Sequence, residues 1–219
     1  MRNILINLFL ISGYVLAGLL IILGKTENIM ATQIKQEKLV VLALGDSLTA
    51  GFGVQEEESF PSRLQVKIDQ SNLGYKVINA GVSGDTTAGG VRRIDWLMKH
   101  KPNIVILALG ANDGLRGLST KEMQANLETM IRISRENNAQ VLLAGMKALP
   151  NYGKDYQLKF ESVYADLAKK YDLVYLPFLL EGVAGVREHT RPDGLHPKES
   201  GYKIVADLVW RYLQPMLKK

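Results

Sequence analysis

The 219-residue chain contains no cysteine. That excludes disulfides, thiolate metal sites, a cysteine nucleophile and a lipid-modified N-terminal cysteine. Histidine is scarce, with three in the whole chain, so an imidazole base has few candidates. A strong charge of one sign is also missing. The net charge is +5, part of it lies before the first predicted strand, and the rest is scattered. Such a charge does not make a nucleic-acid surface. There is no internal repeat, no low-complexity tract and no sign of a second domain. With 47% hydrophobic and 22% charged residues, the composition is that of an ordinary globular protein.

One long apolar run is present. Ile4–Gly24 carries no charge over 21 residues, with Arg2 before it and Lys25 after it. Roughly 20 apolar residues are enough to span a bilayer. A cleavable signal has a shorter apolar region and a small-x-small cleavage site, which Ile29-Met30-Ala31 matches poorly. Residues 1–24 are therefore read as an uncleaved signal-anchor, with a cleaved signal peptide as the alternative. Positive charge at the N-terminus places that end in the cytoplasm. The body, joined by a polar tether over residues 25–38, is then expected in the periplasm or otherwise outside the cytoplasm.

Residues 39–219 alternate between strand and helix patterns. Leu39–Leu44 and Ile104–Leu109 are continuous apolar runs, as in buried parallel strands. Lys76–Ala80 is shorter with polar flanks, and is placed at a sheet edge. Val141–Met146 and Leu173–Leu176 complete five strands. Helical spacing links Phe60, Leu64 and Ile68 behind Pro61, then Met123, Leu127, Met130 and Ile131 behind the capping box at Ser119. It recurs from Phe160 to Tyr171 and from Ile204 to Tyr212. The fold class predicted is α/β: one three-layer α/β/α domain with a five-stranded parallel sheet, order 2-1-3-4-5.

In that order strands 2, 1 and 3 are neighbours, and ligands bind beyond the carboxyl ends of such strands. Those ends carry Gly84, Ser47 and Asn112. Acyl transfer needs a nucleophile and donors aimed at an oxyanion, here the amides of Ser47 and Gly84 and the Asn112 side chain. Each residue also has a plain structural reading: helix cap, turn and loop cap. The serine needs a base. His100 stands at a helix end and His189 in a charged loop. His196 follows Asp193 by three residues, close enough for the carboxylate to orient the imidazole, although a capping aspartate with a bystander histidine fits too.

Taken together, four blocks resemble the SGNH (GDSL) hydrolase superfamily: Gly45-Asp46-Ser47-Leu48, the Gly84 block, Gly110-Ala111-Asn112-Asp113, and Asp193-Gly194-Leu195-His196-Pro197. Within it, Ser83–Thr86, Asn112–Gly117 and Pro150–Gly153 resemble the bacterial multifunctional thioesterase I/lysophospholipase/arylesterase group. The resemblance implies a flavodoxin-like fold, a triad of Ser47, Asp193 and His196, oxyanion donors at Ser47, Gly84 and Asn112, and neither metal nor cofactor. Ala111 departs from the glycine common in that group, and the long N-terminal run is a second departure. The serine does not sit in G-x-S-x-G, which argues against the α/β-hydrolase fold.

The expected activity is hydrolysis of acyl esters and thioesters, lysophospholipids included. The membrane is a partner through the N-terminal segment. A carbohydrate O-acetylesterase and an inactive membrane-tethered binding module are the alternatives. The apolar residues Leu48, Phe52, Leu115 and Leu118 suit an acyl chain better than a sugar. The Gly114–Leu118 loop, with glycines around Leu115-Arg116, is expected to close its leucines over the chain while Arg116 stays at the polar rim; a rigid turn before the Ser119 capping box is the alternative.

Overall fold

The computed structural model describes residues 38–218. The expected anchor, and the tether up to residue 37, lie outside the described residues. Five parallel strands form one sheet in the order β2-β1-β3-β4-β5, as expected. They are β1 (Leu39–Gly45), β2 (Tyr75–Gly81), β3 (Ile104–Ala108), β4 (Gln140–Ala144) and β5 (Val174–Leu176). The helices are α1 (Ser47–Ala50), α2 (Phe60–Gln70), α3 (Thr87–Leu97), α4 (Ala111–Leu115), α5 (Thr120–Glu136), α6 (Lys154–Tyr171) and α7 (Glu199–Leu213). Helices α2 and α7 pack together on one face, and α3, α5 and α6 in sequence on the other. Among the described residues no helix is long and apolar enough to cross a membrane.

The central strands follow from their apolar runs. All five residues of β3 are buried, as are Val41–Gly45 of β1. Val41 pairs with Ile104 and Gly45 with Ala108, so the two strands end level. Each large aliphatic side chain removed from water here stabilises the fold by roughly 1.5–3 kcal/mol. Phe60, Leu64 and Ile68 of α2 are fully buried, because a 3.6-residue period returns them to one face. Ser59 caps that helix and Pro61 sits in its first turn, where a missing N–H leaves no bond unmade. The side chain of Ser119 caps α5 through the Glu122 amide.

The edge strand differs from expectation. β2 runs seven residues, in register with β1 from Leu39↔Tyr75 to Gly45↔Gly81. Tyr75 is buried and starts the pairing one residue earlier than the polar flank implied. Gly81 ends it against the Ala50 backbone, where a Cβ would collide. Gly45 is equally confined, by Thr49 and the Ala108 carbonyl. These two glycines let the ends of β1 and β2 close around α1.

Candidate active site

Asp46, not Ser47, caps α1: its Oδ1 accepts the Leu48 amide at 2.9 Å. Ser47 is therefore the first helical residue, and its hydroxyl is spared for another partner. That partner is His196, whose Nε2 lies 2.9 Å from Ser47 Oγ across 149 residues of chain. The opposite ring nitrogen, Nδ1, lies 2.9 Å from Asp193 Oδ2. Asp193 Oδ1 accepts the amides of Leu195 and His196 at 2.9 and 3.0 Å. Burial raises the Asp193 carboxyl, but these two amides and the ring outweigh it and hold the group down at about 2. Asp193 is thus ionised, so Nδ1 carries a proton and donates it. In the neutral imidazole Nε2 is then the acceptor of the serine hydroxyl.

The loop presenting this pair has no regular structure, yet it is held in place. The Thr190 hydroxyl donates to the Val183 carbonyl at 2.7 Å, Arg191 N to the His196 carbonyl at 2.8 Å, and Lys198 N to the His189 carbonyl at 2.8 Å. The Phe52 ring packs on the imidazole with 4.5 Å between centroids. His189 contacts Ser200, and His100 packs edge-on against Trp96.

Ser47, Gly84, Asn112 and His196 all line one cavity of about 650 Å³. Gly84 takes φ +82°, a conformation that glycine adopts without steric cost. Asn112 Nδ2 donates to the Asp85 carbonyl at 2.9 Å and approaches Asp46 Oδ2 at 3.5 Å. One N–H thereby fixes the amide plane beside Ser47, and the other is only weakly engaged. A hydroxyl, an imidazole held by a carboxylate, and the Gly84 and Asn112 segments thus border one cavity beyond the carboxyl ends of β1, β2 and β3.

The GDSL-like lipase/acylhydrolase family model matches residues 43–204, a span that contains every one of these residues. The chain belongs to the GDSL-like lipase/acylhydrolase family. It is 38% identical to a protein named esterase TesA from Pseudomonas aeruginosa, over 81% of this chain and 89% of that one. It is 35% identical to thioesterase 1/protease 1/lysophospholipase L1 of Escherichia coli strain K12, over 81% and 84%. A crystal structure of TesA superimposes with a TM-score of 0.79 at 38% identity, covering 81% of this chain and 99% of the other.

Within this GDSL-family site two predicted substrate contacts are placed elsewhere. Leu48 and Leu115 line the cavity; Arg116 and Leu118 do not. Leu118 is 39% exposed, and its carbonyl accepts the Tyr156 hydroxyl at 2.9 Å. Arg116 reaches across to the Gly84 carbonyl at 2.9 Å, so it ties the Asn112 segment to the Gly84 turn. The expected mobile loop is a bonded helical turn. Arg116 N donates to the Asn112 carbonyl and Leu118 N to the Asp113 carbonyl, while the Tyr152 hydroxyl bonds the Leu115 carbonyl. Gly117 sits where a Cβ would strike the Tyr152 ring, so this glycine serves close packing.

Several lining residues had no readable signal. Met146, expected to end the fourth strand, lies beyond β4, which stops at Ala144. Ala148 and Leu149 come after it, and Phe178 and Leu180 follow β5; no periodicity marks them as a wall. Arg93 of α3 donates to the carbonyls of Gly45 and Ala80 and to Asp85, bracing the ends of β1 and β2. A cation on an otherwise inward helical face was its only trace.

Asp46 is 1% exposed. Burial pushes its carboxyl up to about 6, against the Leu48 hydrogen bond and the charge of His196. A carboxyl whose folded pKa is raised favours the fold while neutral, and this stability is lost as pH rises from about 4 through 6. The shift corresponds to roughly 3 kcal/mol lost by pH 7.5. Asp46→Asn keeps a capping oxygen without the charge. The stability of Asp46→Asn relative to the wild type is therefore expected to rise between pH 4 and pH 7.5, by up to ~3 kcal/mol. Urea unfolding at the two pH values measures it, and a pH-independent difference would remove Asp46 as the buried titrating group.

Proposed function

We propose that this chain hydrolyses carboxylic esters and thioesters of medium and long acyl chains, lysophospholipids included, through an acyl-enzyme on Ser47. The observation that carries the reading is the Ser47–His196–Asp193 relay opening into an apolar cavity of about 650 Å³. His196 takes the serine proton as Oγ attacks the acyl carbon. The resulting oxyanion accepts the Ser47 and Gly84 amides and the second Asn112 N–H. The imidazolium, stabilised by ionised Asp193, returns the proton to the leaving oxygen or sulfur. Water then repeats the sequence on the acyl-enzyme. No step requires a metal or cofactor.

The cavity walls support this choice of acyl chain. Leu48, Leu115, Met146, Leu149, Phe178 and Leu180 all face the cavity, and apolar burial favours a hydrocarbon chain. An acetyl group would fill little of this volume, which weighs against a carbohydrate O-acetylesterase. The test is kcat/KM on p-nitrophenyl acetate, hexanoate and dodecanoate. The reading expects a clear preference for the longer chains; turnover of acetate alone would favour the acetylesterase, and no turnover an inactive binding module. Leu115→Ala should remove roughly 1–3 kcal/mol of favourable burial from the dodecanoyl ester and much less from acetate. Equal losses on all three would place the acyl groove elsewhere.

The reading also takes the domain to work outside the cytoplasm on a membrane anchor at residues 1–24. The length of the Ile4–Gly24 run and the charges around it support this. An anchored enzyme stays with the membrane fraction at full mass after carbonate washing. A soluble form beginning near Ala31 would show signal cleavage instead.

A further inference from the structure

We infer that a basic cleft beside the acyl cavity is a subsite for a phosphate carried on the substrate's leaving group; the inference rests on the esterase reading above. The cleft has a volume of about 520 Å³, and Arg187, Arg191 and Lys198 line it. It meets the acyl cavity at Gly185 and Gly194, which line both. At neither glycine does a heavy atom beyond the chain neighbours lie within 4 Å of the position a Cβ would take, so both border open space. Gly194 stands two residues before His196. The imidazolium delivers its proton to the leaving group, so that group must lie on the His196 side of Ser47.

Among the described residues the three cations form no salt bridge: no carboxylate lies within 4.0 Å of any of them. The adjacent acid Glu199 pairs with Arg63 at 3.3 Å, and Asp193 is occupied by His196 and the Leu195 amide. Arg191 uses one N–H on the Gly53 carbonyl at 2.8 Å, and Lys198 one on the Arg187 carbonyl at 2.9 Å. The remaining guanidinium and ammonium donors are available to an anion. Arginine and lysine donors suit the oxygens of a phosphate. An apolar cavity and a cationic cleft that share Gly185 and Gly194 fit an amphiphile with its acyl chain in one and its phosphate in the other. Two classes share that chemistry: a lysophospholipid and an acyl-coenzyme A thioester.

The test uses the full chain and two substrate pairs that differ in phosphate content, all kept below their micelle concentrations. The pairs are 1-octanoyl-lysophosphatidate with 1-octanoylglycerol, and octanoyl-coenzyme A with octanoyl-pantetheine. The readout is the ratio of kcat/KM within each pair, for wild type and for Arg187→Gln combined with Lys198→Gln. Both side chains belong to exposed residues. The subsite expects the wild type to favour the phosphorylated member and the double variant to lose ~10-fold or more of that ratio, through KM. Raising NaCl from ~50 to ~500 mM should erode it in the wild type. A fall confined to the glycerol pair assigns the subsite to a lipid headgroup, and one confined to the pantetheine pair assigns it to the coenzyme. An unchanged ratio in both pairs, with 1-octanoylglycerol still turned over, overturns the subsite and leaves the esterase standing. No turnover of any of the four by the wild type removes the esterase reading and the subsite with it.

Discussion

Ser47→Ala is expected to lower kcat on p-nitrophenyl hexanoate by on the order of 10⁴–10⁶ while leaving the fold intact. The size follows from the loss of the covalent route: without Oγ, only the oxyanion donors and substrate binding remain. The survival of the fold follows from the division of labour at the end of β1. Asp46 caps α1 through the Leu48 amide, whereas the Ser47 hydroxyl, among the described residues, bonds only His196. Removing it takes no cap from the helix. Steady-state rates beside urea unfolding of the same preparation check both halves. A variant that keeps a tenth of wild-type activity would show that Ser47 is not the nucleophile.

Asn112→Ala carries the second-largest expected effect, a fall of about 10²–10³ in kcat with KM nearly constant. A donor that strengthens as negative charge develops acts on the transition state and little on bound substrate. Part of the amide has a structural duty, since one N–H holds the Asp85 carbonyl at 2.9 Å. Leaving that carbonyl unpaired costs on the order of 1–3 kcal/mol in stability, far too little by itself to produce a thousandfold loss of rate in folded protein. Rates normalised to folded enzyme by active-site titration separate the two. If KM rose and kcat held, Asn112 would be a substrate contact.

Much of this was legible in the chain because the informative signals are local. β1 and β3 announce themselves as apolar runs, and a residue just past such a strand is placed by the strand itself. Ser47 and Asn112 therefore stand where the strand pattern places them, beyond the ends of β1 and β3. Asp193 and His196 are three residues apart, within one turn of chain. What was not legible depends on long-range packing. The length of β2 depends on Tyr75 being buried. The far wall of the cavity comes from Met146 to Leu149 and from Phe178 and Leu180, which no sequence period connects. Arg116 is an exposed charge beside the cavity-lining Gly84, but nothing local shows that it reaches the Gly84 carbonyl 32 positions earlier. Leu118 read as a substrate contact because hydrophobicity alone does not say which way a turn faces. Asp46 lay in plain view beside Ser47, but its burial, and hence its raised carboxyl, is a property of the packed fold.

The central claim is that Ser47 is the nucleophile of a relay with His196 and Asp193. The most direct measurement is covalent labelling with a fluorophosphonate, followed by mass spectrometry of the digested protein. The account expects one equivalent bound per chain, on the peptide containing Ser47, with activity lost in proportion. His196→Ala should take up label far more slowly, because no base remains to accept the serine proton. Stoichiometric label on any other serine, or full activity in fully labelled protein, would contradict it.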